Sequence, residues 1–179
     1  MTARLMLLSL AASSLIAACA SDEMTEPKTT FTLTVENVSA EYDIIDSGAF
    51  TTVEGASEPS PAGAGAAYSF TAHGGPGHRL SFATMFVHSN DLFYATPPGG
   101  LPLFDKAGEP LSGDVTSQIA LWDAGTEVDE EPGAGPHQAP HQVAAGAGEA
   151  DMNKSVRTAD DSFDNLPMVS DVIKVTVTP

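Results

Sequence analysis

The chain has 179 residues, of which 24 are acidic and 7 basic, giving a formal charge of −17 at pH 7. That balance excludes a phosphate-tracking nucleic-acid binder, which needs Lys and Arg to neutralise the backbone, and it argues equally against adsorption to anionic lipid. The length suits one domain with a real core rather than two.

Residues 1–18 carry one early cation, Arg4, followed by an apolar run from Leu5 to Ala18 broken only by small residues. This reads as a secretory signal peptide; the run is too short and too rich in Ser and Ala for a stable transmembrane helix. It ends in Ile16-Ala17-Ala18-Cys19, the order of a bacterial lipobox, in which the cysteine receives the lipid. An ordinary small-x-small cleavage site beside a chance cysteine is the alternative. Cys19 is the single cysteine of the chain, and acylation accounts for an odd thiol in an exported protein. Several acyl chains on Cys19 would anchor the protein to a membrane without a spanning segment. Ala20 in place of an aspartate is similar to Gram-negative lipoproteins destined for the outer membrane, so the expected location is the cell envelope, lipid-anchored at that membrane. Residues 19–30 then form the lipidated Cys and a short polar tether, and 31–179 the folded domain. Loss of the leader removes one basic and no acidic residue, which makes the mature chain still more acidic.

Phe31 to Val38 alternates, with Phe31, Leu33 and Val35 on one face and Thr32, Thr34 and Glu36 on the other, the pattern of a half-buried strand. Ala49 to Val53 is a weaker candidate. Ala66 to Ala72 and Arg79 to His88 flank His73-Gly74-Gly75-Pro76-Gly77-His78, whose residues suit a turn between adjacent strands. The second of these carries Leu80, Phe82, Ala83, Met85, Phe86 and Val87, apolar on both faces, and is the expected central strand. Thr116 to Trp122 is another apolar run. Ser170 to Thr178 alternates again, Ile173, Val175 and Val177 opposing Lys174, Thr176 and Thr178. No segment after the leader has a helical stripe. Two stretches, Ala56 to Ala67 and Pro132 to Gly148, are Gly-, Ala- and Pro-rich and read as loops, the second extended over the domain or partly mobile. Short strands spaced by turn signals predict an all-β fold, an antiparallel β-sandwich with long Gly/Pro-rich loops.

The familiar catalytic signatures are missing. Gly63-Ala64-Gly65 lacks the lysine of a phosphate loop, and there is neither a Gly-x-Ser-x-Gly elbow nor a His-Glu-x-x-His helix. His137 and His141 stand four apart, but Pro136 and Pro140 disfavour the helix that would aim both imidazoles at zinc, so exposed loop histidines are the expectation. What remains is rich in carboxylates. His88-Ser89-Asn90-Asp91-Leu92-Phe93 follows the expected central strand, and Leu121-Trp122-Asp123-Ala124-Gly125-Thr126-Glu127 closes another. Read without further context, the latter is an Asp-Gly turn with a strand cap; Gly125 also permits a turn tight enough for Asp123 and Glu127 to converge on one ion.

Leu80-Ser81-Phe82-Ala83-Thr84-Met85-Phe86-Val87, Ser89-Asn90-Asp91 and Trp122-Asp123-Ala124-Gly125-Thr126-Glu127 together resemble the spondin N-terminal domain of F-spondin, mindin and bacterial exported proteins. The resemblance runs from about Phe31 to the C-terminus, and Ser47-Gly48-Ala49-Phe50 and Glu131-Pro132-Gly133-Ala134-Gly135-Pro136 look like its bacterial branch. It implies a β-sandwich binding Ca2+ through loop carboxylates. In the animal members the ligands are the aspartate of a Pro-Ser-Pro-Asp-Trp loop and both acids of Asp-Ala-Gly-Thr-Asp. These correspond to Asp91, Asp123 and Glu127, although His88, Asn90 and Leu92 replace the prolines and tryptophan and Glu127 replaces the last aspartate. Calcium takes six to eight oxygens and tolerates a glutamate in such a set. The implied role is a non-catalytic adhesion or ligand-binding module facing an extracellular or periplasmic protein or glycan. The alternative is a calcium-dependent envelope hydrolase acting on glycans, for which no nucleophile and base can be named.

Overall fold

The computed structural model describes residues 44–159, 163 and 166–179. The leader, Cys19, the tether and the expected strand from Phe31 to Val38 lie outside the described residues.

The described chain is all-β and antiparallel throughout. Eight strands are present, β1 (Arg79–Leu80), β2 (Ala83–Met85), β3 (Leu92–Ala95), β4 (Leu101–Pro102), β5 (Gly113–Asp114), β6 (Ala120–Asp123), β7 (Arg157–Thr158) and β8 (Thr176–Val177), with one helical turn, α1 (Val169–Val172), and a 3-10 turn, Thr116–Gln118. They form a four-stranded sheet in the order β2-β3-β6-β7 and two ribbons, β1-β4 and β5-β8. Among the described residues no helix is long and apolar enough to cross a membrane.

The register follows from burial. Tyr94 faces Leu121 and Leu92 faces Asp123 across β3 and β6. Directly opposed residues share a face, as do residues two apart in one strand, so Leu92, Tyr94, Leu121 and Asp123 all belong to the inner face. Leu92, Tyr94 and Leu121 pack there with Phe86, Leu101, Val115 and Ile119. The Phe86 and Tyr94 rings meet with centroids 5.5 Å apart in a tilted arrangement that favours edge-to-face contact. Burial of Tyr94 pushes its phenol up to about 12. Ile173, Val175 and Val177 close over the same cluster from the C-terminal segment.

Several expectations are corrected. β3 and β6 occupy the interior of the four-stranded sheet, whereas Ala83–Met85 is at its edge among the described strands. The segment from Arg79 to His88 buries only one side: Phe86 is inside while Met85 is 46 % exposed. Ala66 to Ala72 forms no strand. Its aromatic residues instead serve a small local cluster, Phe70 stacking on Phe50 at 4.3 Å and Tyr68 donating to the Ser60 carbonyl at 2.6 Å. Ala49 to Val53 contributes only the isolated bridge Thr52–Pro59.

The run from Thr116 to Trp122 begins as a 3-10 turn and becomes strand only at Ala120, because the Asp114 carboxylate accepts the Thr116 amide and bends the chain there. Ser170 to Thr178 likewise starts inside α1. The helical turn sets Val169 and Ile173, four apart, against one core, and the inward alternation of Ile173, Val175 and Val177 then holds as expected.

Candidate metal centre

Two turns meet at one end of the four-stranded sheet. The first links β2 to β3 and is closed by Ser89, itself buried: its amide and hydroxyl donate to the Phe86 carbonyl at 3.1 and 2.5 Å, and the Leu92 amide donates to the hydroxyl at 3.1 Å. This places Asp91 immediately before β3. The second turn follows β6, where the Asp123 Oδ1 accepts the Gly125 amide at 2.6 Å. Gly125 has φ 67°, and a Cβ on it would meet the Asn153 carbonyl oxygen at 2.6 Å, so both conformation and space require glycine.

Asp91 joins the turns. Its Oδ2 accepts the Thr126 amide at 2.7 Å, the Thr126 hydroxyl at 2.7 Å and the Glu127 amide at 3.1 Å. Its other oxygen, Oδ1, is fully buried and has no hydrogen-bond partner among the described residues. A buried polar atom without a partner is costly and calls for an explanation, an ion among them.

Asp91, Asp123 and Asp129 each offer a carboxylate oxygen, and the three oxygens lie within 4.8 Å of one another. Asp123 is 1 % exposed because it ends the inner face of β6. Burial raises its pKa above the usual carboxylate value. Repulsion from Asp91 and Asp151 adds to the rise, while the Gly125 amide and Arg157 oppose it.

Arg157 provides a resident countercharge. The β6–β7 register sets it opposite Asp123, and its Nη2 contacts Asp123 Oδ2 as well as Asp151 Oδ2, the latter at 2.6 Å. Its Nη1 donates to the Asn153 and Ser155 carbonyls at 2.9 and 3.2 Å. One cation thus faces several carboxylates. Each carboxylate oxygen has more than one acceptor site, so the contacts from Gly125 and Arg157 do not exhaust Asp123.

Of the residues singled out in the sequence, Asp91 and Asp123 come together and Glu127 does not join them. Asp129 stands in the third place. The acidic run after the turn offers Glu127, Asp129, Glu130 and Glu131, and nothing in their order says which one turns back toward Asp91. The Glu127 side chain is instead buried beside Asn90, whose Nδ2 donates to it at 3.3 Å.

His137 and His141 are used locally. The His137 Nδ1 lies 2.5 Å from Glu130 Oε1, and His141 Nδ1 lies 3.0 Å from the Gly135 carbonyl oxygen. The loop that bears them is ordered around Gln138, which has no exposed surface. Its side chain accepts the Gly133 amide at 2.8 Å and donates to the Glu131 carbonyl at 2.7 Å.

As a donor set, three carboxylates suit a hard cation that prefers oxygen, with further oxygens coming from carbonyls or water; a soft or nitrogen-seeking metal would find no thiolate or imidazole in this set. Compared with models of known protein families, with curated proteins and with solved structures, the chain matches none.

Proposed function

We propose that this chain is a non-catalytic, calcium-binding recognition module of the spondin N-terminal type, a β-sandwich held in the bacterial cell envelope by lipid on Cys19. The observation that carries the calcium reading is the meeting of Asp91, Asp123 and Asp129, one carboxylate oxygen of each lying within 4.8 Å of the others, and Asp91 also carries a buried oxygen, Oδ1, without a partner among the described residues. Burial and, after it, repulsion at Asp123 support the same reading, since a divalent cation would relieve what the Gly125 amide and Arg157 leave uncompensated. Calcium fits better than magnesium, because irregular loop ligands meet its flexible coordination more easily than a strict octahedron.

In this reading the ion ties the turn before β3 to the turn after β6 and stiffens one end of the sheet. That end would present the surface seen by an extracellular or periplasmic partner, protein or glycan. The acidic surface and the lipobox-like Ile16-Ala17-Ala18-Cys19 support display outside the cytoplasm rather than contact with nucleic acid.

The test is calorimetric titration of chelator-stripped, folded protein with calcium chloride, with magnesium as comparison. Saturable calcium binding that Asp129→Asn abolishes is the expected result. No heat up to several times the roughly millimolar affinities of extracellular modules would sink the calcium assignment.

A further inference from the structure

Asp123 stands between two cation environments. It belongs to the three-aspartate set, and its Oδ2 is also in contact with Arg157 Nη2. The guanidinium does not rest on Asp123 alone. Nη2 pairs with Asp151 Oδ2 at 2.6 Å, and Nη1 donates to the Asn153 and Ser155 carbonyls at 2.9 and 3.2 Å. Gly125 closes on the same group, since a Cβ there would stand 3.2 Å from Nη1. One carboxylate and two carbonyls outside the aspartate set thus hold the guanidinium, and the β6–β7 register fixes its root opposite Asp123.

An ion entering the aspartates therefore meets a positive charge that it does not expel by taking Asp123, because three other oxygens retain the guanidinium. Each carboxylate oxygen accepts more than one partner, so Asp123 can serve both cations at once. The arginine also interacts electrostatically with Asp129, and so draws on two of the three ligands. A guanidinium keeps its proton in proteins, which makes the opposing charge permanent. A unit charge a few ångströms from a divalent ion lowers its affinity by about tenfold even at the dielectric of water.

We propose that Arg157 sets the affinity of the metal centre: it stays on Asp123 when calcium binds and keeps that binding weaker than the three aspartates would give without it. The proposal rests on the calcium reading of Asp91, Asp123 and Asp129. Arg157 is not itself a ligand; it acts through Asp123 and through its charge. Because repulsion grows with the charge of the ion, the same residue biases the site against trivalent cations.

The experiment is calorimetric titration of chelator-stripped, folded protein with calcium chloride and with terbium chloride, in the wild type, Arg157→Gln and Arg157→Lys. Arg157→Gln removes the charge and should bind calcium about tenfold more tightly, and terbium by a larger factor still. Arg157→Lys keeps the charge and should stay within about threefold of the wild type for both ions. Calcium bound by the wild type and bound no more tightly by Arg157→Gln would overturn the proposal and leave the calcium reading standing. An equal gain for the two ions, or an equal gain in the lysine variant, would overturn the electrostatic role. No binding of either ion by any of the three proteins would remove the calcium reading and this proposal with it. Should Arg157→Gln fail to fold, the wild type decides by 15N-detected NMR of the Arg157 guanidinium. The group should remain bound and slow to rotate at calcium saturation, and its release would overturn the proposal.

Discussion

Arg157 lies directly opposite Asp123 across β6 and β7, and one of its guanidinium nitrogens touches both Asp123 and Asp151. The Asp123 side chain is 2 % exposed and that of Arg157 33 %, so the pair is buried on the acid's side only. Replacing Arg157 by Ala would leave a buried carboxylate beside Asp91 and Asp151 with no cation. Breaking the pair in this way is destabilising, and the partial exposure of the arginine discounts the loss. Urea denaturation in chelator measures it. Saturating calcium should recover part of the loss, since it supplies the missing positive charge.

Asp123 also makes stability depend on pH. Its folded pKa is raised above the ordinary value of 3.8 by burial first and by its acidic neighbours second. Its favourable contribution is therefore fully present below 3.8 and is lost as pH rises through the folded pKa. Asn at this position keeps an acceptor for the Gly125 amide without the charge. In chelator, Asp123→Asn should match the wild type at pH 3 and exceed it in stability at pH 7, as read by urea midpoints across that range. A wild type more stable than the variant at neutral pH would show that the Arg157 pair outweighs burial and repulsion.

The geometric ligand set and the set implied by the spondin resemblance differ in one residue, and substitution separates them. A ligand confined to the folded state adds about 2.7 kcal/mol at a hundredfold excess over Kd. Thermal melts with and without calcium should lose this increment in Asp91→Asn, Asp123→Asn and Asp129→Asn. Glu127→Gln should retain it, and His137→Ala should be indistinguishable from wild type.

Gln138 holds the loop from Glu130 to Gln142 through both ends of its amide. Gln138→Ala leaves the Glu131 carbonyl without its donor and weakens the hold on the Gly133 amide, at a cost of about 1–3 kcal/mol. Because the loop contributes nothing to the inner face of β3 and β6, the effect should be local. Amide exchange at Gly133, His141 and Gln142 should accelerate while the amides of Tyr94 and Leu121 stay protected.

Anchoring is tested on the whole chain. If Cys19 carries lipid, the protein should partition into detergent, and Cys19→Ala should release it into the periplasm or medium. A wild type that is water-soluble and cleaved at another bond would remove the lipoprotein reading.

Much of the fold class is legible in the residues alone. Glycine and proline punctuate the chain, apolar residues alternate at its C-terminal end, and no helical stripe interrupts them; these local features depend only on backbone sterics and on a period of two. Val175 and Val177 show it, packing inward where alternation puts them. Asp91 and Asp123 were marked by their turns and by the spondin resemblance. The order of strands was not legible, because pieces of two to four residues carry too little periodicity to declare a neighbour. Leu92–Ala95, an inner strand, is shorter than the apolar run around Phe82 and Phe86, which lies at the edge among the described strands. Nor could the sequence choose Asp129 over Glu127. Asp129 is the one that lies with Asp91 and Asp123, in a region where the turn at Gly125 closes on Asn153 and Ser155 and Gly148 closes on Glu127 and Asn90, contacts that form only once the chain has folded. Local chemistry determined that there would be strands and an acidic turn; only tertiary register decided which acids face one another, because side-chain direction past a tight turn is set by what packs against it.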